Sequence, residues 1–467
     1  MLKEPYRSLI PRHGVRISGA RFNDKVDLAG AQIACALRIE DSLLDKGLDF
    51  SNLRTEHSVS LKSSSVTGNA EMDGLQTKIS LVLQKAKLTD VSLRDADIGT
   101  DLNLKGAIIT SELDMETMHV GGIVLATGGK FAGVNFSGAK VDNQLVMDES
   151  VVNGKLNMQD VQVGHSLLMR ETQLNGNAQF LYAKVGGQLD FSGYQVEPND
   201  PTCGGGATEK PKANFKGGSL PGVLDLTGAR IGAALLFGSC KRRAPRWQTH
   251  SWLILRNVSV GALQDRNEDC TVLRSDCREA WPQHLLLDGL AYEQLSALNS
   301  GNESNMASRG SDWWISWLAR QQKYSPQPYQ QTASVLRKLG YPEDADSVLY
   351  AGKNRELREA KYPTKIWLFL LWIFIGYGYR LYYAGLWALF FVVFGAIVLR
   401  VSGEGHRNGM PYGLTYSFDM LLPLVKLRER DSTIELHGLA AYYFYIHKVI
   451  GLALGSFLLA GLSGLTK

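Results

Sequence analysis

The sequence predicts a mainly β chain: a solenoid of short stacked strands, then an α-helical connector and C-terminal transmembrane helices. Three observations carry this. Apolar residues return every eleven positions across more than half of the 467 residues. Glycine falls at turn-like places between them, as in SGARF, AGAQI, KGAII and SGAKV, where it would break helices. A long uncharged run, residues 381–399, stands in the last hundred positions.

Each repeat unit is an apolar residue, a spacer, a larger apolar residue, and another apolar residue five positions on. Leu156, Met158 and Val163 form one unit, answered by Leu167, Met169 and Leu174. Val26/Leu28/Ile33, Leu102/Leu104/Ile109 and Val134/Phe136/Val141 follow the same rule. A small residue sits two before the last anchor, as at Ala31, Ala107 and Ala139. The inward spacing therefore alternates five and six. On an α-helix such steps scatter around the circumference, whereas short strands with a corner after each keep them inside. A fixed period of this kind marks a solenoid, two units making a coil of about 22 residues.

With these units in view, GTDLNLKGAIITSELDMETM resembles the pentapeptide-repeat family. That resemblance implies a right-handed quadrilateral β-helix. The regular sixth residue departs from the family's pattern and loosens every second corner. A wider likeness links this β-helix, QPYQQTASVLRKLG, GYGYR, YSFDMLLPLV and the terminal AGLSGL to a group of poorly characterised bacterial membrane proteins. Some of these carry an oxidoreductase label, but no residues here form a redox cofactor site.

The expected organisation is an N-terminal cap (1–14) and a β-helix (15–292) with insertions at 197–211, 238–252 and 264–284. A helical connector (293–363) and a membrane domain (364–467) follow. The middle insertion, CKRRAPRWQTHSW, combines Lys241, Arg242, Arg243, Arg246 and Trp247. Basic and aromatic side chains together suit anionic lipid headgroups, with a solvated loop as the alternative. Nucleic acid is not an expected partner. DNA mimicry needs a strongly acidic rod, and residues 1–196 hold 20 Lys/Arg against 23 Asp/Glu. Five cysteines without CxxC spacing fit a reducing compartment. Cys270, Cys277 and His284 match no established zinc spacing, so neither metal nor cofactor is expected.

In the connector, Ser311-Asp312 opens a helix with Trp313, Trp314 and Trp317 along one side, for a core or a bilayer interface. Two more helices, joined by LGYP, loosely resemble one tetratricopeptide unit. The membrane domain begins with an apolar segment too short to span (366–379) and continues with spans near 381–399 and 449–465. A third crossing by the first segment stays open. MLKEPYRSLIPRHG has no apolar core of a secretory signal, and Lys353, Arg355, Arg358, Lys361 and Lys365 precede the first apolar segment. Both place the β-helix in the cytoplasm, and the likeness to bacterial membrane proteins implies that the membrane is a bacterial inner membrane.

The GYG in GYGYR reads as a hinged surface turn. The potassium-filter alternative lacks an outer span and would set Arg380 against the ion. Between the spans, Leu414, Phe418, Leu421 and Val425 are expected on one helical face with Asp419 opposite. Gly451, Gly455, Ala460 and Gly464 give small-xxx-small spacing for self-association in lipid. His447 and Lys448 would then form a ring at an interface or pore. No nucleotide-binding, zinc-protease or hydrolase motif occurs, so the chain is not expected to be an enzyme. The expected function is a membrane-anchored scaffold or sensor whose β-helix binds an unidentified protein. The alternative is an oligomeric channel or membrane-disrupting effector gated by that β-helix.

Overall fold

The eleven-residue rhythm folds as parallel β-coils. The computed structural model describes residues 14–193, 219–239, 242–266, 279–295, 306–380, 382–410, 412–421 and 436–462, in two units, Met1–Tyr341 and Pro342–Lys467. In the first unit each coil has four short sides, such as Leu37–Glu40, Leu43–Leu44, Leu48–Asp49 and Arg54–Thr55. Side chains alternate in and out along each side. Leu102, Leu104, Ala107 and Ile109 are all at most 1% exposed. Successive coils stack in parallel register: Val15 pairs with Leu37, Leu37 with Val59, and the column continues to Leu263 with Leu295. The step is 22 residues at Leu145↔Leu167 and 21 at Leu81↔Leu102.

Two kinds of corner explain the alternation of five and six. At the tight corner one residue takes the left-handed conformation: Asn52, Ser63, Gly74 and Lys85 have φ of 55°, 57°, 64° and 56°. The four predicted turn glycines, Gly19, Gly30, Gly106 and Gly138, all sit there. The other corner is a wider bend holding the sixth residue. Where it carries glycine, coils approach closely. A Cβ on Gly186 would lie 2.1 Å from the Gly164 carbonyl oxygen, and one on Gly232 2.2 Å from that of Gly186.

The expected insertion at 238–252 needs correction. Arg246–Trp247 pairs in register with Ser219–Leu220, and Trp252–Ile254 with Val223–Asp225, so its second half is ordinary coil. Similarly, residues 264–265 complete the strand Ser259–Asp265, stacked on Arg230–Phe237. All of the cap but Gly14 and the insertion at 197–211 lie outside the described residues, as do Cys203, Cys240, Cys270 and Cys277. Cys35 is a free thiol, and His284 stacks on Trp252 at 4.6 Å.

The last coil is closed by helices, which protects an otherwise open strand edge. An aromatic column runs from Phe180 through Phe191 and Phe237 to Trp281, then to Trp317 of α1 (Ser311–Ala319). Trp314 and Trp317 are buried, so the tryptophan stripe fills a core. Arg309 forms a bidentate pair with buried Asp265, which also accepts from the Trp281 indole. Helix α2 (Pro326–Lys338) caps the final strand by side chain: Gln327 accepts from Gly289 N at 2.9 Å and donates to Leu290 O at 2.9 Å. One turn on, Gln331 donates to Tyr292 O at 2.6 Å.

The second unit starts at α3 (Pro342–Glu359), so the two helices expected as one hairpin belong to different units. Helix α4 (Thr364–Ile375) ends at Gly376 (φ 53°), and the GYG forms a short turn in which Tyr377 is buried. Helix α5 (Tyr382–Val401) is, among the described residues, the one helix long and apolar enough to cross a membrane, with mean hydropathy 2.2. After α6 (Glu404–Arg407) come α7 (Leu414–Leu421) and the 25-residue α8 (Gly438–Leu462). Leu399, Tyr416 and Phe444 form a core joining α5, α7 and α8. The expected face of α7 is corrected: Leu414 is 45% exposed, while Ser417 and Asp419 are buried.

Candidate functional site

One outward stripe of the solenoid is set by register. The residue before each inward valine or isoleucine points to solvent, and these residues stack: Lys140 beside Gln162, Gln162 beside Lys184, Lys184 beside Arg230, Arg230 beside Ser259. The wide bend that follows holds Gly164, Gly186, Gly232 and Gly261. With no side chains there, the surface sinks to the backbone. The result is a cleft of about 760 Å³ with a glycine floor and a bank of Lys140, Gln162, Lys184 and Arg230. Tyr292, Glu293 and Gln331 line its far end. The floor's amides are satisfied between coils, for example Gly186 N to Val163 O at 2.9 Å. It is therefore a rigid shelf.

Charge is unevenly held along the bank. His119 bridges Asp97 (Nδ1···Oδ1 2.8 Å) and Asp142 (Nε2···Oδ2 3.0 Å), and Lys140 also pairs with Asp142 at 2.8 Å. The Asp97 carboxylate, helped by Asp142, raises the His119 pKa above 6.5 despite some desolvation. Lys140 and then His119 lower that of Asp142. Lys184 and Arg230 are exposed, and among the described residues neither pairs with a carboxylate. Among the described residues they are the cleft's cations without a carboxylate partner.

This cleft was not among the residues singled out from sequence. Its signal is QVG at 162–164 and KVG at 184–186, with RIG at 230–232 and SVG at 259–261 after the insertion. The residues that were singled out lie elsewhere. Lys241 is outside the described residues. Arg242 is half-buried, 3.7 Å from Glu171 and donating to Gly193 O at 3.3 Å. Arg243 is half-buried and Arg246 exposed. Trp247 turns inward against Phe237 and donates to Ala280 O at 3.0 Å. Among the four that are described, Trp247 does not stand on a lipid-facing loop, because the coil register draws it into the wall.

In the second unit His447, expected in a ring at an interface or pore, is fully buried. Its Nε2 lies 3.0 Å from Ser417 O, an acceptor, so Nε2 carries the proton; Nδ1 meets the Tyr443 hydroxyl at 3.0 Å. Both nitrogens thus tie α8 internally and to α7. Lys448 is exposed. Gly451 is likewise engaged within the chain: a Cβ there would stand 1.7 Å from Leu421 O of α7. Gly455 has open space beside it among the described residues. The Ala460 side chain and Gly464 lie outside them. Among the described residues no cluster suits a metal ion. Comparison with protein-family models, curated proteins and solved structures finds no match.

Proposed function

We propose that this chain is a non-catalytic scaffold or sensor. In this reading the β-solenoid is held on the cytoplasmic face of a bacterial inner membrane by C-terminal helices, and the cleft is the surface offered to a protein partner. One observation carries the anchoring. On the 20-residue α5, Leu386, Leu389, Phe390, Val393, Phe394 and Ile397 are 42–61% exposed. Each large apolar side chain gains roughly 1.5–3 kcal/mol on full burial, and lipid supplies that burial along ~30 Å of helix. Helix α8 presents Leu439, Ile446, Val449 and Leu452 in the same way. We read α5 and α8 as two spans, with α4 at the interface and residues 402–437 on the far side. The basic residues before α4 support a cytoplasmic solenoid. Kinship with pentapeptide-repeat proteins belongs to the same proposal and concerns architecture alone.

The pore reading draws on the polar groups buried among the helices, Asp419 and His447. Engagement of both His447 nitrogens within one chain favours the anchor. Full-length protein is expected to float with phospholipid vesicles through a density gradient and to resist carbonate extraction. Leu389→Lys with Val393→Lys should abolish both. Recovery of the unaltered protein in the carbonate supernatant would end the anchored reading. Vesicles carrying the protein should show no ion flux above protein-free vesicles.

A further inference from the structure

We propose that the cleft binds an acidic peptide segment in extended conformation, an inference that rests on the scaffold reading and names its partner's chemistry. The cleft runs from the coil of Lys140 to that of Ala291, five steps of ~4.8 Å, or ~24 Å. An extended peptide advances ~3.4 Å per residue, so seven residues fill it. Lys184 and Arg230 are adjacent in register and free of carboxylate partners among the described residues. They leave positive charge on one bank for acidic side chains at alternate positions, ~6.8 Å apart along such a peptide. Gln162 and Ser259 stand on the same bank and offer donors and acceptors to a peptide backbone. The glycine floor admits that backbone closely.

Two features select a peptide over a nucleic acid strand. Asp142 and Glu293 line opposite ends and would repel a continuous phosphate chain. Among the described residues Tyr292 is the one aromatic lining the cleft, and at 3% exposed it gives no ring for base stacking.

The probe is fluorescein-labelled Ser-Glu-Thr-Glu-Ser-Glu-Thr, titrated with the full-length protein in detergent and read by anisotropy. Saturable binding that weakens with salt is expected, and the Gln counterpart should not bind. Lys184→Ala with Arg230→Ala should weaken binding about tenfold, the scale of two exposed ion pairs. Arg54→Ala, on the same stripe but outside the cleft, should leave it unchanged. Absence of binding, or equal loss with Arg54→Ala, overturns the proposal. Displacement of the peptide by an oligouridylate at lower concentration than by unlabelled peptide also overturns it. Flotation with vesicles separates this failure from failure of the anchored scaffold, since the cleft variants should still float.

Discussion

Leu167 stacks between Leu145 and Leu189 inside the solenoid and is fully buried. Leu167→Asp would bury a charge without a partner, so several kcal/mol of stability should be lost. Exposed Gln162→Asp should leave the melting temperature within about 1–2 °C in a thermal scan, as surface changes usually do. The sequence makes both positions legible, because the inward set repeats every eleven residues. Arg170, next to inward Met169, is paired with Asp148 one coil below, and that carboxylate raises its pKa. Such pairs are invisible to local reading and emerge at separations near one coil, as with Arg94 and Asp73. His119 makes a pH-dependent contribution of known sign. Its folded pKa is raised, so the stabilisation from Asp97 and Asp142 is complete below the unfolded value of 6.5 and is lost as pH rises through the folded pKa. An NMR titration should find His119 above 6.5, and below the wild-type value in Asp97→Asn.

At the scale of elements, the corners decide what the sequence reveals. The tight corner holds a left-handed residue, and Lys85 occupies it with a side chain that disfavours it. Lys85→Gly should therefore raise unfolding free energy by about 0.5–1 kcal/mol in a denaturant titration. The wide corner behaves oppositely where coils touch. Gly186→Val drives its Cβ into the Gly164 carbonyl and should destabilise, whereas Gly133→Ala, with its nearest atom at 3.8 Å, should be tolerated. The cleft was hard to foresee for a related reason. A column of small residues is a local blank in the sequence, and it becomes a surface only when the register aligns its members. Trp247 misled for the converse reason: basic neighbours mark a loop, but pairing with Leu220 places it in the wall. In the helical unit, Gly451→Ile should unfold the packing of α8 on α7, because Leu421 O already fills that space. Gly455→Ile, with open space beside it, reports on self-association: a fall in mass by light scattering is the outcome expected of an oligomer.

For the whole molecule, two kinds of regularity were legible to different degrees. The solenoid announces itself through repetition, each coil restating the last. The helical unit has no repeat, so composition marks its apolar runs but not which faces meet, and Asp419, His447 and Gly451 all lie inside faces assigned to solvent or to partners. The proposed function divides the work between the two units: helices in lipid, solenoid in the cytoplasm, cleft open to a partner. Side-specific labelling tests that arrangement most directly. A chain whose native cysteines are replaced receives a single cysteine at Asn408, after α5, or at Gln162, on the solenoid. Intact cells are then treated with a membrane-impermeant maleimide admitted to the periplasm. The account predicts labelling of Asn408→Cys and none of Gln162→Cys until the cells are broken. Labelling of Gln162→Cys in intact cells, with Asn408→Cys protected, would contradict it.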